Sequence, residues 1–408
     1  MHRNWLSKMP IIPTLLFAYF INTLLIGSVG VVILQVQQSF AASATEAAFL
    51  EPCKDISAAL ASFLLASQLA RFGLKRAMLL GLSLLAVACL LLPSVPSYYS
   101  SLAMFALTGG VFAVVKIAIF SSIGLVTTNP KQHASTMGLF EAFYMFAVLA
   151  MYYTFGAFVD DANPGSTSWM NSYYLLGALL CLALLMLWRM PLDESALQES
   201  DGSGAGFAAM LKLLSAVYVV FFVCGIFFYV FTEQGLMSWL PSYNRQVLEM
   251  PTSLALQVAS ILALLLALGR LLSAWILRFI DWYPLTVICT VAIAGLVVVG
   301  LWSLQYHQGA INSWRDVPLG ALALPASGLF FAPLYPMLCS VILSSLHVSK
   351  HAPMTGLILI FSVIGGTTGS FTVGRLFDAV GGQAAYWILP ISCAVMLFAF
   401  TALKRRLK

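Results

Sequence analysis

The chain has 408 residues, of which 61% are hydrophobic and only 9% are Asp, Glu, Lys or Arg, against roughly 25% charged in an ordinary soluble domain. Its 20 basic and 15 acidic residues cannot cover a soluble protein of this length, which excludes a water-soluble enzyme, a nucleic-acid binder and a disordered chain. A multi-pass membrane protein is the class that remains.

The N-terminus carries Arg3 and Lys8. The apolar run behind it is too long for a signal-peptide core, so a retained first span is expected. A span needs about 20 apolar residues. Twelve segments qualify: 11–37, 46–70, 77–95, 98–126, 133–158, 171–190, 212–240, 253–276, 284–305, 317–345, 352–377 and 385–403. Charges lie inside the second and fourth. The seventh and tenth are long enough to tilt or break. Gly225 and Gly235 in one, and Pro333 and Pro336 in the other, are the candidate break points.

Alternating the loops across the bilayer sorts the basic residues. One side receives Arg3, Lys8, Arg71, Lys75, Arg76, Lys131, Arg189, Lys212, Arg278, Lys350, Lys404, Arg405, Arg406 and Lys408. Loops on the other side hold only Arg245 and Arg315, with Lys54 and Arg375 near span ends. This positive-inside pattern predicts both termini in the cytoplasm of a bacterial inner membrane. It also accounts for the net charge of +5 without an acidic partner.

The longest polar connection is 191–211, rich in Gly, Ser and acids. It predicts a flexible cytoplasmic linker between two six-helix bundles, 1–190 and 212–408. The halves echo one another. Span two ends in ASQLARFGLKR (66–76) and span eight in GRLLSAWILRFID (269–281), each a basic turn. Repetition on this scale is a feature of transporters built from related halves.

A charge near the bilayer centre costs about 2.5–3.5 kcal/mol, so each one inside a span is a candidate for function. The chain offers Glu51, Lys54, Asp55, Lys116, Glu141, Glu233 and Arg270. Lys116 and Glu141 fall at similar depth in consecutive spans. They predict either a structural ion pair or a substrate site. Gly109 and Gly110, two turns before Lys116, permit close helix approach. Phe140, Phe143 and Tyr144 flank Glu141 and stack on a solute ring or simply pack. Glu233 follows Tyr229 by one turn and precedes Gln234, with no base near it in the sequence. It is the better candidate for a proton carrier. Arg270 needs a carboxylate or an anionic solute, or else snorkels to the interface. Glu51, Lys54 and Asp55 share one turn, so local neutralisation is available. Asp55 is expected to lie deepest of the three and to change protonation.

The seven cysteines form no CxxC pair and read as small packing residues. The histidines lie in termini or loops without metal-ligand spacing, so no metal site is expected. No Gly-rich phosphate loop is present, so no nucleotide drives the protein.

Twelve spans, a six-plus-six split and the turn ARFGLKR (70–76) resemble the major facilitator superfamily. That superfamily's loop between spans two and three usually reads Gly-x-x-x-Asp-Arg-x-Gly-Arg-Arg. Arg71, Gly73, Lys75 and Arg76 match this gating loop. Ala66 replaces the first Gly and Ala70 the Asp, so the loop lacks its usual carboxylate. Three stretches resemble the fucose–proton symporter group: 228–246, 329–346 and 365–381. Acids usual in spans one and four of that group are missing. Span one offers Thr14, Tyr19, Asn22, Thr23, Ser28 and Gln35 instead, and span four offers Lys116.

The resemblance implies an all-α membrane protein with two pseudo-symmetric six-helix bundles. It implies a secondary transporter that works by alternating access, is not an enzyme and has no cofactor beyond the proton gradient. The expected cargo is an organic anion, a sugar acid or a sugar, carried by proton symport through the lipid bilayer by a monomer. Substrate contacts are expected from Asn22, Lys116, Glu141, Tyr144, Tyr229, Gln234 and Arg270. Proton coupling is expected from Asp55, Glu141 and Glu233. A proton-coupled drug or metabolite exporter is the alternative, with a channel or lipid scramblase as a more distant class.

Overall fold

The computed structural model describes residues 11–126, 130–194, 211–276, 279–304, 311–346 and 350–407, and among them there is no strand. Contacts divide the chain into two compact units. One holds Met1–Ala42 and Phe49–Gly202, and the other Ser43–Ala48 and Ser203–Lys408. Residues 195–210 of the expected linker lie outside the described residues.

In the first unit, α1 (Ile11–Gly27) and α2 (Val29–Phe40) form one apolar stretch bent by 43°. The bend falls at Ser28, whose hydroxyl donates to the Leu25 carbonyl at 2.7 Å and so competes with the helical ladder there. The short α3 (Ala44–Ala48) clusters with the second unit. Next come α4 (Leu50–Phe72), α5 (Leu74–Leu91), α6 (Tyr98–Val126), α7 (Pro130–Gly156) and α8 (Ser172–Arg189). α4 and α6 cross closely because Gly109 lies against the Lys54 carbonyl and Ser57, where a side chain would overlap the backbone.

The second unit begins with α9 (Val217–Gln246), α10 (Thr252–Ile276) and α11 (Trp282–Leu304). Span ten is broken into α12 (Leu319–Ala326), α13 (Gly328–Phe331) and α14 (Leu334–Ser344), with Pro333 at the last break. Pro336 lies within α14 and does not end it. Then follow α15 (His351–Val380), α16 (Gly382–Ala385) and α17 (Ile388–Arg406).

The expected breaks at Gly225 and Gly235 do not occur, because α9 runs unbroken for 30 residues. A break in hydrocarbon strands backbone groups that no water can satisfy. The two glycines serve packing instead. Gly225 lies against the Phe400 ring, and Gly235 against Val373 and Leu389. The seventh span is also displaced, running from Val217 to Gln246 rather than over 212–240.

Helix pairing repeats between the units. In the first, α4 packs on α6, α5 on α6 and α8, and α1 on α7 and α8. In the second, α10 packs on α12 and α13, α11 on α12 and α17, and α9 on α15 and α17. Among the described residues nine helices are long and apolar enough to cross a membrane, or ten with the bent pair. Each of the twelve expected segments overlaps a helix. Leu80, Leu84 and Leu91 on α5, Leu185 and Trp188 on α8, and Ile391 and Phe398 on α17 are exposed. Apolar faces of this extent suit hydrocarbon rather than water.

Candidate functional site

Each unit contains a polar cluster inside otherwise apolar spans. In the second unit, Tyr229 and Glu233 stand one turn apart on α9. The Tyr229 hydroxyl donates to Glu233 Oε1 at 2.8 Å and lies 3.1 Å from the Phe331 carbonyl. That carbonyl belongs to the end of α13, where the broken span exposes a backbone acceptor. Arg270, from α10, interacts electrostatically with Glu233. The Tyr335 ring centroid lies 5.9 Å from that of Tyr229, and the Tyr335 hydroxyl pairs with Ser362 Oγ at 3.2 Å.

Glu233 has no base near it in the sequence, and the fold brings Arg270 to it from the next helix. Tyr335 and Ser362 were not anticipated. The Pro-flanked break before Leu334 is the sequence signal that places a side chain beside the cluster. Gln234 packs against Gly366 of α15. It sits on the next residue around the helix from Glu233, not on the Tyr229 face.

In the first unit, the Lys54 ammonium lies 2.5 Å from Glu51 Oε1 and 3.4 Å from Asp55 Oδ1. Local neutralisation thus takes the form expected of one helical turn. The Glu51 side chain is 0% exposed and that of Asp55 19%, so Glu51 is the enclosed acid and Asp55 the accessible one. Asp55 follows Glu51 by four residues, so the two acids share nearly one face of α4.

Lys116 sits among aromatic rings. Its Nζ lies 5.7 Å from the Phe112 centroid, 5.4 Å from Phe120 and 5.9 Å from Tyr144, within cation–π range. Tyr19 of α1 packs on the same group, with its centroid 5.7 Å from Phe140 and 6.2 Å from Tyr144. Phe140 is fully buried, whereas Phe143 is partly exposed and lies edge-on to Phe20. The Glu141 side chain lies outside the described residues, and with it the expected Lys116–Glu141 pair. Asn22, one turn beyond Tyr19, is fully buried, and among the described residues both atoms of its amide lack a hydrogen-bond partner. An amide left so costs about 1–3 kcal/mol unless a solute or water meets it.

The basic turn is held from an unexpected quarter. Gly73 adopts φ +99°, which lets α5 start at once after α4 ends. Glu194, at the start of the linker, accepts the N–H groups of Leu74 at 3.0 Å and Lys75 at 2.8 Å. The Lys75 ammonium donates to the carbonyls of Trp188 at 2.9 Å and Met190 at 2.7 Å. A carboxylate at the first amides of a helix is well placed for the helix dipole. Ala70 supplies no acid here, and Glu194 brings one from elsewhere in the chain. Arg76 is exposed, and the Arg71 side chain lies outside the described residues.

The sequence profile of the Major Facilitator Superfamily matches residues 15–324. The chain belongs to that superfamily. It is a transporter, not an enzyme, and a multi-pass membrane protein with the major facilitator fold. No curated protein sequence matches it. Solved structures of superfamily transporters match its fold at low identity. The nucleoside transporter NupG aligns with TM-score 0.75 and 14% identity over 96% of this chain and 98% of its own. A bacterial homologue of the human lysosomal transporter Spinster, inward-facing and unoccupied, gives 0.75 and 15% over 98% and 96%. The fucose transporter FucP in its outward conformation gives 0.60 and 17% over 97% and 99%. At these identities the likeness is one of fold, and the superfamily's cargo does not transfer with it.

Proposed function

We propose that this superfamily member carries a small polar solute, an organic anion, sugar acid or sugar, by proton symport through alternating access. The observation that carries the reading is the Tyr229–Glu233–Arg270 cluster, drawn from two helices and capped by a broken third. An ionisable carboxylate inside an apolar span is costly and has a use. While Glu233 is ionised, it accepts from Tyr229 and balances Arg270. Once Glu233 is protonated, Arg270 loses that balance and is open to an anionic group of the solute. Proton and solute are then favoured together, as symport requires. The unsatisfied Asn22 amide and the Lys116 ammonium in the first unit support polar contacts from that half.

The aromatic surroundings of Lys116 favour a second reading, export of an apolar-ringed metabolite, which the same cluster would drive by antiport. Basic residues at alternate loops support a bacterial inner-membrane location with both termini cytoplasmic. The protein acts as a monomer, with the solute and the bilayer as its partners and no nucleic acid.

The test has two steps. Thermal unfolding of the purified protein against sugars, sugar acids and carboxylates identifies the cargo, since a ligand bound to the native state raises the midpoint. Uptake of that cargo into proteoliposomes under an imposed pH gradient follows. Glu233→Gln should abolish accumulation while leaving exchange of labelled for unlabelled solute intact. Wild-type accumulation in this variant would remove Glu233 from the coupling step.

A further inference from the structure

A groove of about 430 Å³ runs along the first unit between α4 and α5. The two helices are joined through Gly73, yet α4 packs chiefly on α6, α5 packs on both α8 and α6, and the two touch one another little. α6 therefore forms the floor. Leu65 and Phe72 rise on one wall, Leu80 and Leu84 on the other, and all four are substantially exposed. Gly110 keeps the floor low, and Gly81 lets α5 approach α6 closely. A Cβ at Gly81 would already crowd Val111 at 3.3 Å. The groove belongs to neither polar cluster and lies on helices whose outer faces suit hydrocarbon.

One end of the groove is charged. Phe72 and Ala77, both lining residues, bracket the turn of Gly73, Leu74, Lys75 and Arg76. The Lys75 ammonium is turned to the carbonyls of Trp188 and Met190. Arg76 is exposed and immediately precedes Ala77 in the chain. A guanidinium at a membrane boundary matches phosphate oxygens in a two-pronged geometry. Net positive charge there favours an anionic headgroup over a zwitterionic one. The groove is lined by apolar side chains and glycines alone, so it fits a hydrocarbon chain rather than a polar solute.

We infer that this groove binds one acyl chain of an anionic phospholipid, whose headgroup rests at Arg76 in the leaflet on the side of the basic turn. Packing of a chain between α4 and α5 fills a gap that a fluid annulus would fill only transiently. The claim is independent of the cargo and of proton coupling.

The experiment uses the full chain in nanodiscs of phosphatidylcholine with a minor share of phosphatidylglycerol. The protein is extracted in mild detergent, and retained lipid is read by native mass spectrometry. Wild type should keep phosphatidylglycerol in preference to phosphatidylcholine. Ala106→Phe, which fills the groove floor, should lose the retained lipid while unfolding at a temperature close to wild type. Arg76→Gln, a surface change that leaves the groove intact, should keep a lipid but lose the preference for phosphatidylglycerol. Equal retention of the two lipids by wild type would overturn the inference. So would undiminished phosphatidylglycerol on both variants, which would mark the lipid as annular only.

Discussion

Glu194 and Lys75 tie the same junction twice: the Glu194 carboxylate accepts the Lys75 N–H at 2.8 Å, and the Lys75 ammonium donates to the Met190 carbonyl at 2.7 Å. The end of α8 is thereby fastened to the start of α5. Glu194→Ala strips two amides of their acceptor and should cost about 1 kcal/mol, as loss of a helix cap usually does. Glu194→Gln keeps an acceptor without the charge and should fall between. The check is thermal unfolding in detergent, together with hydrogen exchange at Leu74 and Lys75. Unchanged protection of both amides in the alanine variant would show that Glu194 contributes nothing there.

Lys54 is enclosed with a fully buried Glu51 at 2.5 Å. Removing one partner of such a pair is expected to cost about 3–5 kcal/mol, because a charge is left alone. Lys54→Met should therefore be strongly destabilised, and Lys54→Met with Glu51→Leu should recover most of the loss. Asp55, at 3.4 Å and more accessible, should tolerate Asn with a much smaller effect. Melting curves of the three variants, set against wild type, decide. A double variant no better than the single would mean that the pair does more than neutralise itself.

Lys116 lies among three rings at 5.4–5.9 Å. If it holds an anionic group of the solute, Lys116→Met with Glu141→Leu should fold and fail to bind. Lys116→Arg should bind weakly, since a planar fork does not replace a compact ammonium in a fitted space. Ligand-dependent melting, read alongside uptake, makes the comparison. Retained binding in the double variant would leave Lys116 as architecture.

Orientation rests on the basic loops. Ser203→Cys, in the linker, should resist an impermeant thiol reagent applied to intact cells and react in inverted vesicles. The natural cysteines are replaced first to clear the background. Labelling from outside would reverse the assigned topology.

The membrane class and the place of most spans were legible in the residue order. Hydropathy is a property of consecutive residues, and a bilayer imposes one length on every span. The i,i+3 contact of Glu51 with Lys54 was legible for a similar reason, since both partners ride on one helix. The tertiary structure alone decided what meets across helices. It set Arg270 beside Glu233, brought Tyr335 to Tyr229, carried Glu194 to the turn that Ala70 leaves without an acid, and kept α9 whole through Gly225 and Gly235. Helices that are apolar on nearly every side do not announce which face turns inward. Rotation and crossing are settled by close packing at small residues such as Gly109, and the placement of each buried charge follows from that packing.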